Sequence, residues 1–210
     1  MGWLERLLGQ ETEGPEFLDI PLFPLHAVLF PGGLLSLQVF EPRYLEMVRT
    51  CRQEHSPFGV CLIAAGQEVG APAVPHDVGT LALIREVQNL GPERFRVEVT
   101  GGRRFRLQDS RTGADGLLQG RVELLPEPPF TPVPEALSSL VPLMEQIAAD
   151  LGPERLPLPH AYDDASWVGY RLSEVMPVQP LAQQKLLELS DPVSRLEILY
   201  QYLAPKGLVS

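Results

Sequence analysis

The side chains that could carry chemistry are few, and their spacing brings none of them together. The four histidines stand at His26, His55, His76 and His160, with no H-x-x-x-H spacing and no paired cysteine beside them. A metal site needs ligands gathered by such spacings, so each histidine reads as a surface or structural residue. His76 and Asp77 are neighbours, but adjacent residues on an extended chain project to opposite faces, which speaks against an acid/base pair. Asp163 and Asp164 could act as paired carboxylates, yet they precede a helical pattern, and helix capping explains them more simply. There is no G-x-x-x-x-G-K-[ST] phosphate loop and no G-x-S-x-G nucleophile elbow. The chain therefore reads as non-enzymatic, with no catalytic residue, metal or cofactor assigned. A hydrolase built from residues far apart in sequence stays open as an alternative.

Charge narrows the partners. The 210 residues carry a net charge of -10, whereas a phosphate-binding surface needs clustered lysine and arginine. Cys51 and Cys61 are too few for a disulfide framework and sit among apolar residues, which points to a reducing cytoplasm. No apolar run approaches the roughly 18 residues of a spanning helix, so no membrane is expected. At the start, Trp3, Leu4, Leu7 and Leu8 have helical spacing without the pattern of a signal peptide. They read as a short docking helix or frayed terminus rather than a membrane-surface anchor.

The elements that must position any site fall into two groups. Five prolines between Leu124 and Leu137 cannot sustain helix or central strand. The expected division is an N-terminal segment over residues 1–15, a β subdomain over 16–126 and a helical subdomain over 127–210. Before the proline-rich stretch, apolar runs at 34–40, 58–63, 79–87, 94–99 and 103–107 suggest a compact, mostly antiparallel barrel or sandwich. One helix interrupts them, with Tyr44, Met47, Val48 and Cys51 on one stripe and Pro42 in the favoured first turn.

The stretch RFRVEVTGGRRFRL reads as a hairpin. A two-residue loop at Gly101-Gly102 would mix apolar and charged residues on each face. A three-residue loop over 100–102 instead pairs Val97 with Phe105 and Glu98 with Arg104, with one glycine at positive φ. Its outer face would set Arg96 opposite Arg106.

Downstream, Leu137, Leu140, Val141, Met144, Ile147 and Leu151 form a helical stripe that Pro142 should kink. Asp163 or Asp164 can cap a helix carrying Trp167, Val168, Leu172 and Val175. Pro180 opens a short helix, and Ser190 or Asp191 with Pro192 starts a last one bearing Val193, Leu196, Leu199 and Leu203. A barrel with proline-broken edges beside such a bundle offers apolar grooves and exposed main-chain edges. Proteins hold extended peptides in that way, with backbone pairing for affinity and side-chain pockets for choice.

Three blocks carry a family resemblance. IPLFPLHAVLFPGGLLSLQVFEPRYLEMVRTC resembles the opening signature of the Lon protease N-terminal domain. VGTLALIREVQNLGPERFRVEVTGGRRFRL and LAQQKLLELSDPVSRLEILYQYL are similar to its later strands and its helical end. The resemblance runs over about residues 17–204. It implies an α+β fold: a PUA-like β pseudo-barrel followed by a small C-terminal α-helical bundle. It also implies a part in substrate selection, here without ATPase or peptidase modules, as in a standalone Lon N-terminal-like protein. A related domain in cereblon, an adaptor for ubiquitin ligases, implies that the module can work with no protease attached.

The expected function is thus a non-catalytic protein- or peptide-binding module. Its partners would be unfolded or partly exposed protein segments, with a protease or other quality-control factor behind them. The expected binding residues are Phe40, Tyr44, Trp167 and Tyr170, placed in one cleft between barrel and bundle, since such junctions favour pockets. Pro24, Pro31, Gly32, Glu41, Arg43 and Tyr44 read as structural signature residues: the prolines limit edge strands, Gly32 turns the chain, and Glu41 and Arg43 pair or cap. RNA binding through a strip of Arg96, Arg104 and Arg106 is the second reading, and the acidic net charge opposes it.

Overall fold

A computed structural model describes residues 14–71 and 73–209; Trp3, Leu4, Leu7 and Leu8 lie outside them. Six strands, β1 (Phe17–Leu25), β2 (Leu34–Val39), β3 (Phe58–Ala65), β4 (Val74–Gly91), β5 (Arg94–Thr112) and β6 (Leu118–Leu124), form one mixed sheet in the order β2-β5-β4-β3-β1-β6. A further pairing of β5 with β6 closes the sheet into a ring. Only the β1–β3 pair is parallel among these strands. Among the described residues there are five α-helices: α1 (Pro42–Glu54), α2 (Leu140–Leu151), α3 (Ala165–Val175), α4 (Pro180–Glu188) and α5 (Pro192–Leu203).

The prolines of β1 sit where the ladder can spare a donor. Pro21 faces Gln119 of β6 before the pairing with β3 begins, and Pro24 faces Cys61 of β3 after the pairing with β6 has ended. Each proline therefore lies where β1 has a neighbour on one side only, which is where a sheet tolerates a missing N–H. Pro31 and Gly32 form the centre of a tight turn. Gly33 N–H donates to Phe30 O at 2.9 Å, and Gly32 has φ +73, the positive value a type II turn demands at its third residue.

The hairpin expected at Thr100–Gly102 does not exist. β5 runs straight through these residues, and the chain turns instead at Pro92-Glu93, between β4 and β5. Arg96 then faces Gln88 and Gln38, and Arg106 faces Val78 and Glu123, so the two arginines are not opposite one another. The glycines serve a close approach rather than a turn. A Cβ on Gly101 would lie 2.1 Å from Phe30 O, because the Phe30–Gly33 turn rests on this point of β5. Gly32 N–H donates to Gly101 O at 2.7 Å, and Gly101 N–H donates to Gly33 O at 2.9 Å.

α1 buries Tyr44, Leu45, Met47, Val48 and Cys51 in one core, against Phe58, Val60, Val97 and Val99 from the strands. A second core, around Leu22, Cys61, Phe105 and Val122, fills the other part of the ring. Helices α2 to α5 share a third core that also takes in Phe30 and Val78. Asp164 caps α3 by accepting from Ser166 N–H at 3.0 Å, and Asp191 caps α5 by accepting from Ser194 N–H at 2.7 Å. Pro142 does not stand in the middle of its helix. α2 starts at Leu140, so Pro142 occupies the first turn, where its missing N–H has no intrahelical acceptor to lose.

Arg104 joins the two parts of the fold. It is 4% exposed, and its Nη1 donates to Leu187 O at 2.7 Å and Leu189 O at 2.8 Å, at the end of α4. Gln184 adds a bond from Nε2 to Val78 O at 3.0 Å. Arg171 reaches the other way, from α3 to Pro31 O at 2.5 Å.

Candidate functional site

The groove beside β2 is built from alternation. Leu37 and Val39 point into the core, while Ser36, Gln38 and Phe40 stay exposed. The chain then enters α1 at Pro42, and this turn brings Tyr44 under the strand. Tyr44 stacks on Phe23 with ring centroids 4.1 Å apart. Arg43 is fixed by Glu41 at 2.9 Å and by Gly116 O at 3.1 Å, and its guanidinium lies 4.7 Å from the Tyr44 ring centre. Glu41 and Arg43 thus pair, and the Glu41 side chain makes no capping bond. Burial raises the Tyr44 phenol above its ordinary value, with Arg43 opposing and Glu41 and Glu68 adding to the rise.

The resulting cavity holds about 320 Å³, with Phe23, Leu25 and Tyr44 among its apolar lining. Phe40, 48% exposed, and Val69, 56% exposed, stand at its mouth. Glu68 also lines it and accepts the His26 backbone N–H; among the described residues no cation pairs with it.

Trp167 and Tyr170 are elsewhere. They line a separate cavity of about 200 Å³ between ring and helices, together with Pro31, Arg103 and Arg104. No residue lines both cavities, so the four expected residues do not share one cleft. The cause is the Phe30–Gly33 turn. It anchors on α3 through Arg171 and carries Phe30 into the helical core, where its ring centroid lies 6.0 Å from that of Tyr170. Tyr170 is 5% exposed and carries the Arg195 guanidinium 4.1 Å from its ring centre. Trp167 packs instead against Tyr162 and His160.

Sequence reasoning missed two further features. An apolar groove of about 490 Å³ runs between α4 and α5, lined by Met176, Val178, Leu186, Ile198 and Tyr202. Its signal is Ile198, an exposed residue outside the buried stripe of Leu196, Leu199 and Leu203. The second feature is Glu174, which pairs with Arg171 at 3.2 Å. Burial pushes its carboxyl up to about 7, with Arg171 opposing. The three arginines proposed for RNA do not form a strip, because Arg104 is buried while Arg96 and Arg106 are exposed. Cys51 and Cys61 are free, buried thiols, and burial pushes the Cys61 thiol up to about 12. Such thiols are poor nucleophiles.

The comparisons with known proteins agree with this architecture. Residues 19–204 match the sequence model of the ATP-dependent protease La (LON) substrate-binding domain. Protein cereblon of Danio rerio is 35% identical over 113 residues, which is 52% of this chain and 26% of the relative. The Lon protease of Xanthomonas oryzae pv. oryzae is 29% identical over 205 residues, 93% of this chain and 24% of the relative. The chain thus spans about a quarter of the length of these curated relatives. Among solved structures, the crystal structure of a Lon N-terminal domain protein from Xanthomonas campestris superposes with a TM-score of 0.75 at 34% identity. The match covers 88% of this chain and 98% of that one. With the fold shared and the family model spanning nearly the whole sequence, the chain belongs to the LON substrate-binding domain family.

Proposed function

We propose that this chain is a non-catalytic module that holds exposed apolar segments of other proteins, using the groove beside β2. The observation that carries this reading is the pairing of a buried aromatic floor, Phe23 and Tyr44, with exposed Phe40 and Val69 at the mouth. Apolar residues held at the surface around a concavity are what a recognition site needs and what a stable monomer otherwise avoids. In this reading the ring subdomain, residues 16–126, carries the client site, and the helical subdomain, residues 127–210, supports it. The clients are unfolded or partly exposed segments in the cytoplasm, passed on to a protease or another quality-control factor. Membership in a substrate-binding family supports the reading.

The test is fluorescence anisotropy with labelled, reduced and carboxymethylated protein chains as clients. Saturable binding is expected, and Phe40→Asp should weaken it at least about tenfold, the loss of about 1.4 kcal/mol. Because Phe40 is 48% exposed, the same change should leave stability within about 0.5 kcal/mol. Absence of saturable binding, or equal binding by Phe40→Asp, refutes the proposal.

A further inference from the structure

Native sheets protect their edges with charge, proline, bulges or a covering element, since a bare edge pairs with any passing strand. β2 has no charge, proline or bulge of its own. Its sequence, Leu34-Leu35-Ser36-Leu37-Gln38-Val39, contains no charged residue and no proline. It pairs with β5 over all six residues, with no break in register. Among the described residues no strand is attached on its other side, and no backbone hydrogen bond from another element reaches that side. The groove described above lies along this open edge and is lined by a continuous run from Leu35 to Glu41.

We infer that a client segment binds by adding to β2 as a further strand. This rests on the binding-module reading and specifies how that module would recognise its client. The edge supplies main-chain donors and acceptors that any sequence can match, as suits a binder of varied clients. Selectivity comes from the pleat: alternate client side chains face inward, onto Phe23, Leu25 and Tyr44, and the others lie beside Ser36, Gln38 and Phe40. Charge then refines the choice. Glu68 has no cationic partner among the described residues, and the whole chain carries -10, so the favoured segment alternates apolar residues with lysine or arginine. A second copy of this chain fits the edge poorly. Two apposed grooves would each bring a Glu68 and share the repulsion of two strongly acidic surfaces.

The experiment uses a fluorescein-labelled peptide of about eight residues, the length of an ordinary strand, alternating leucine with threonine and lysine. Two further versions carry N-methyl groups on alternate backbone amides, one on the odd positions and one on the even. In an extended strand these two sets of N–H groups point to opposite sides, and only one set can meet β2. The unmodified peptide is expected to bind saturably to the full chain. One methylated version should lose at least about tenfold in affinity and the other should bind like the parent. Glu68→Lys should weaken the parent peptide and spare a version with glutamate in place of lysine. If both methylated versions bind like the parent, strand addition is wrong while the binding-module reading stands. If the parent peptide does not bind while unfolded protein chains do, the strand-addition inference falls alone, and if neither binds, both fall. A dimer in sedimentation velocity that Phe40→Asp dissolves would assign the edge to a second copy and overturn the inference.

Discussion

Replacing Gly101 with alanine, beside the matched change at Gly102, separates two accounts of the Gly-Gly pair. Neither glycine has a positive φ, so backbone strain plays no part in the comparison. At Gly101 a Cβ would sit 2.1 Å from Phe30 O and 2.9 Å from Phe30 C, both main-chain atoms that no rotamer change can move aside. The Phe30–Gly33 turn must lift off β5, which breaks the Gly32–Gly101 and Gly101–Gly33 hydrogen bonds of 2.7 and 2.9 Å. Two such bonds contribute about 1–3 kcal/mol together. Phe30 is 0% exposed and belongs to the helical core, and its displacement adds about 1–2 kcal/mol of lost packing. Against this, alanine restricts the unfolded chain and returns up to about 1 kcal/mol. The net expectation is about 1–5 kcal/mol of destabilisation, centred near 3, a large share of a typical domain's stability. At Gly102 the nearest atoms lie 3.5 Å from the new Cβ, an ordinary contact, so that variant should stay within about 0.5 kcal/mol of the parent. Urea denaturation followed by circular dichroism measures both. If Gly102→Ala costs as much as Gly101→Ala, or if Gly101→Ala is neutral, the close-approach account is refuted.

Glu174 makes stability depend on pH in an uncommon direction for a carboxylate. Its folded value of about 7 lies above the ordinary 4.5, so the stability it contributes is fully present below about 4.5 and is lost as pH rises through about 7. Glu174→Gln should flatten that window and exceed the parent at pH 8 by about 1–3 kcal/mol, read as the difference between urea titrations of the two proteins; a variant less stable at that pH would contradict this. Arg104→Met keeps much of the side chain's volume but removes the donors to Leu187 O and Leu189 O. It should cost about 2–4 kcal/mol and speed amide exchange in Pro180–Glu188 before that in β1 and β3. Uniform acceleration throughout the chain would show that Arg104 does not tie α4 to the ring.

The helix starts were legible because they depend on local chemistry. Pro42, Pro180 and Pro192 fall in first turns, and Asp164 and Asp191 cap as their side chains allow. Phe40 and Tyr44 were legible as neighbours because one turn of chain joins them, although Tyr44 forms the floor of the groove and Phe40 its lip. What failed was non-local. Gly101-Gly102 looks the same in sequence whether it turns a chain or admits another segment, and only the position of Phe30 decides between them. β1 was hidden by Pro21 and Pro24, whose tolerance depends on where β3 and β6 begin and end. The expectation that Trp167 and Tyr170 share a cleft with Phe40 rests on the general preference of junctions for pockets, which does not say which residues meet there. The Phe30–Gly33 turn, invisible as a strap until the fold is known, sets them apart.

The most direct test of the central claim is to map client contact on the ¹⁵N-labelled chain by amide chemical shifts during titration with the alternating leucine, threonine and lysine peptide. The account predicts saturable shifts that concentrate in residues 35–41, with Phe23, Leu25 and Val69, and little change at Trp167 or Tyr170. Shifts centred instead on the groove of Met176, Ile198 and Tyr202, or no saturable shifts at all, would contradict it.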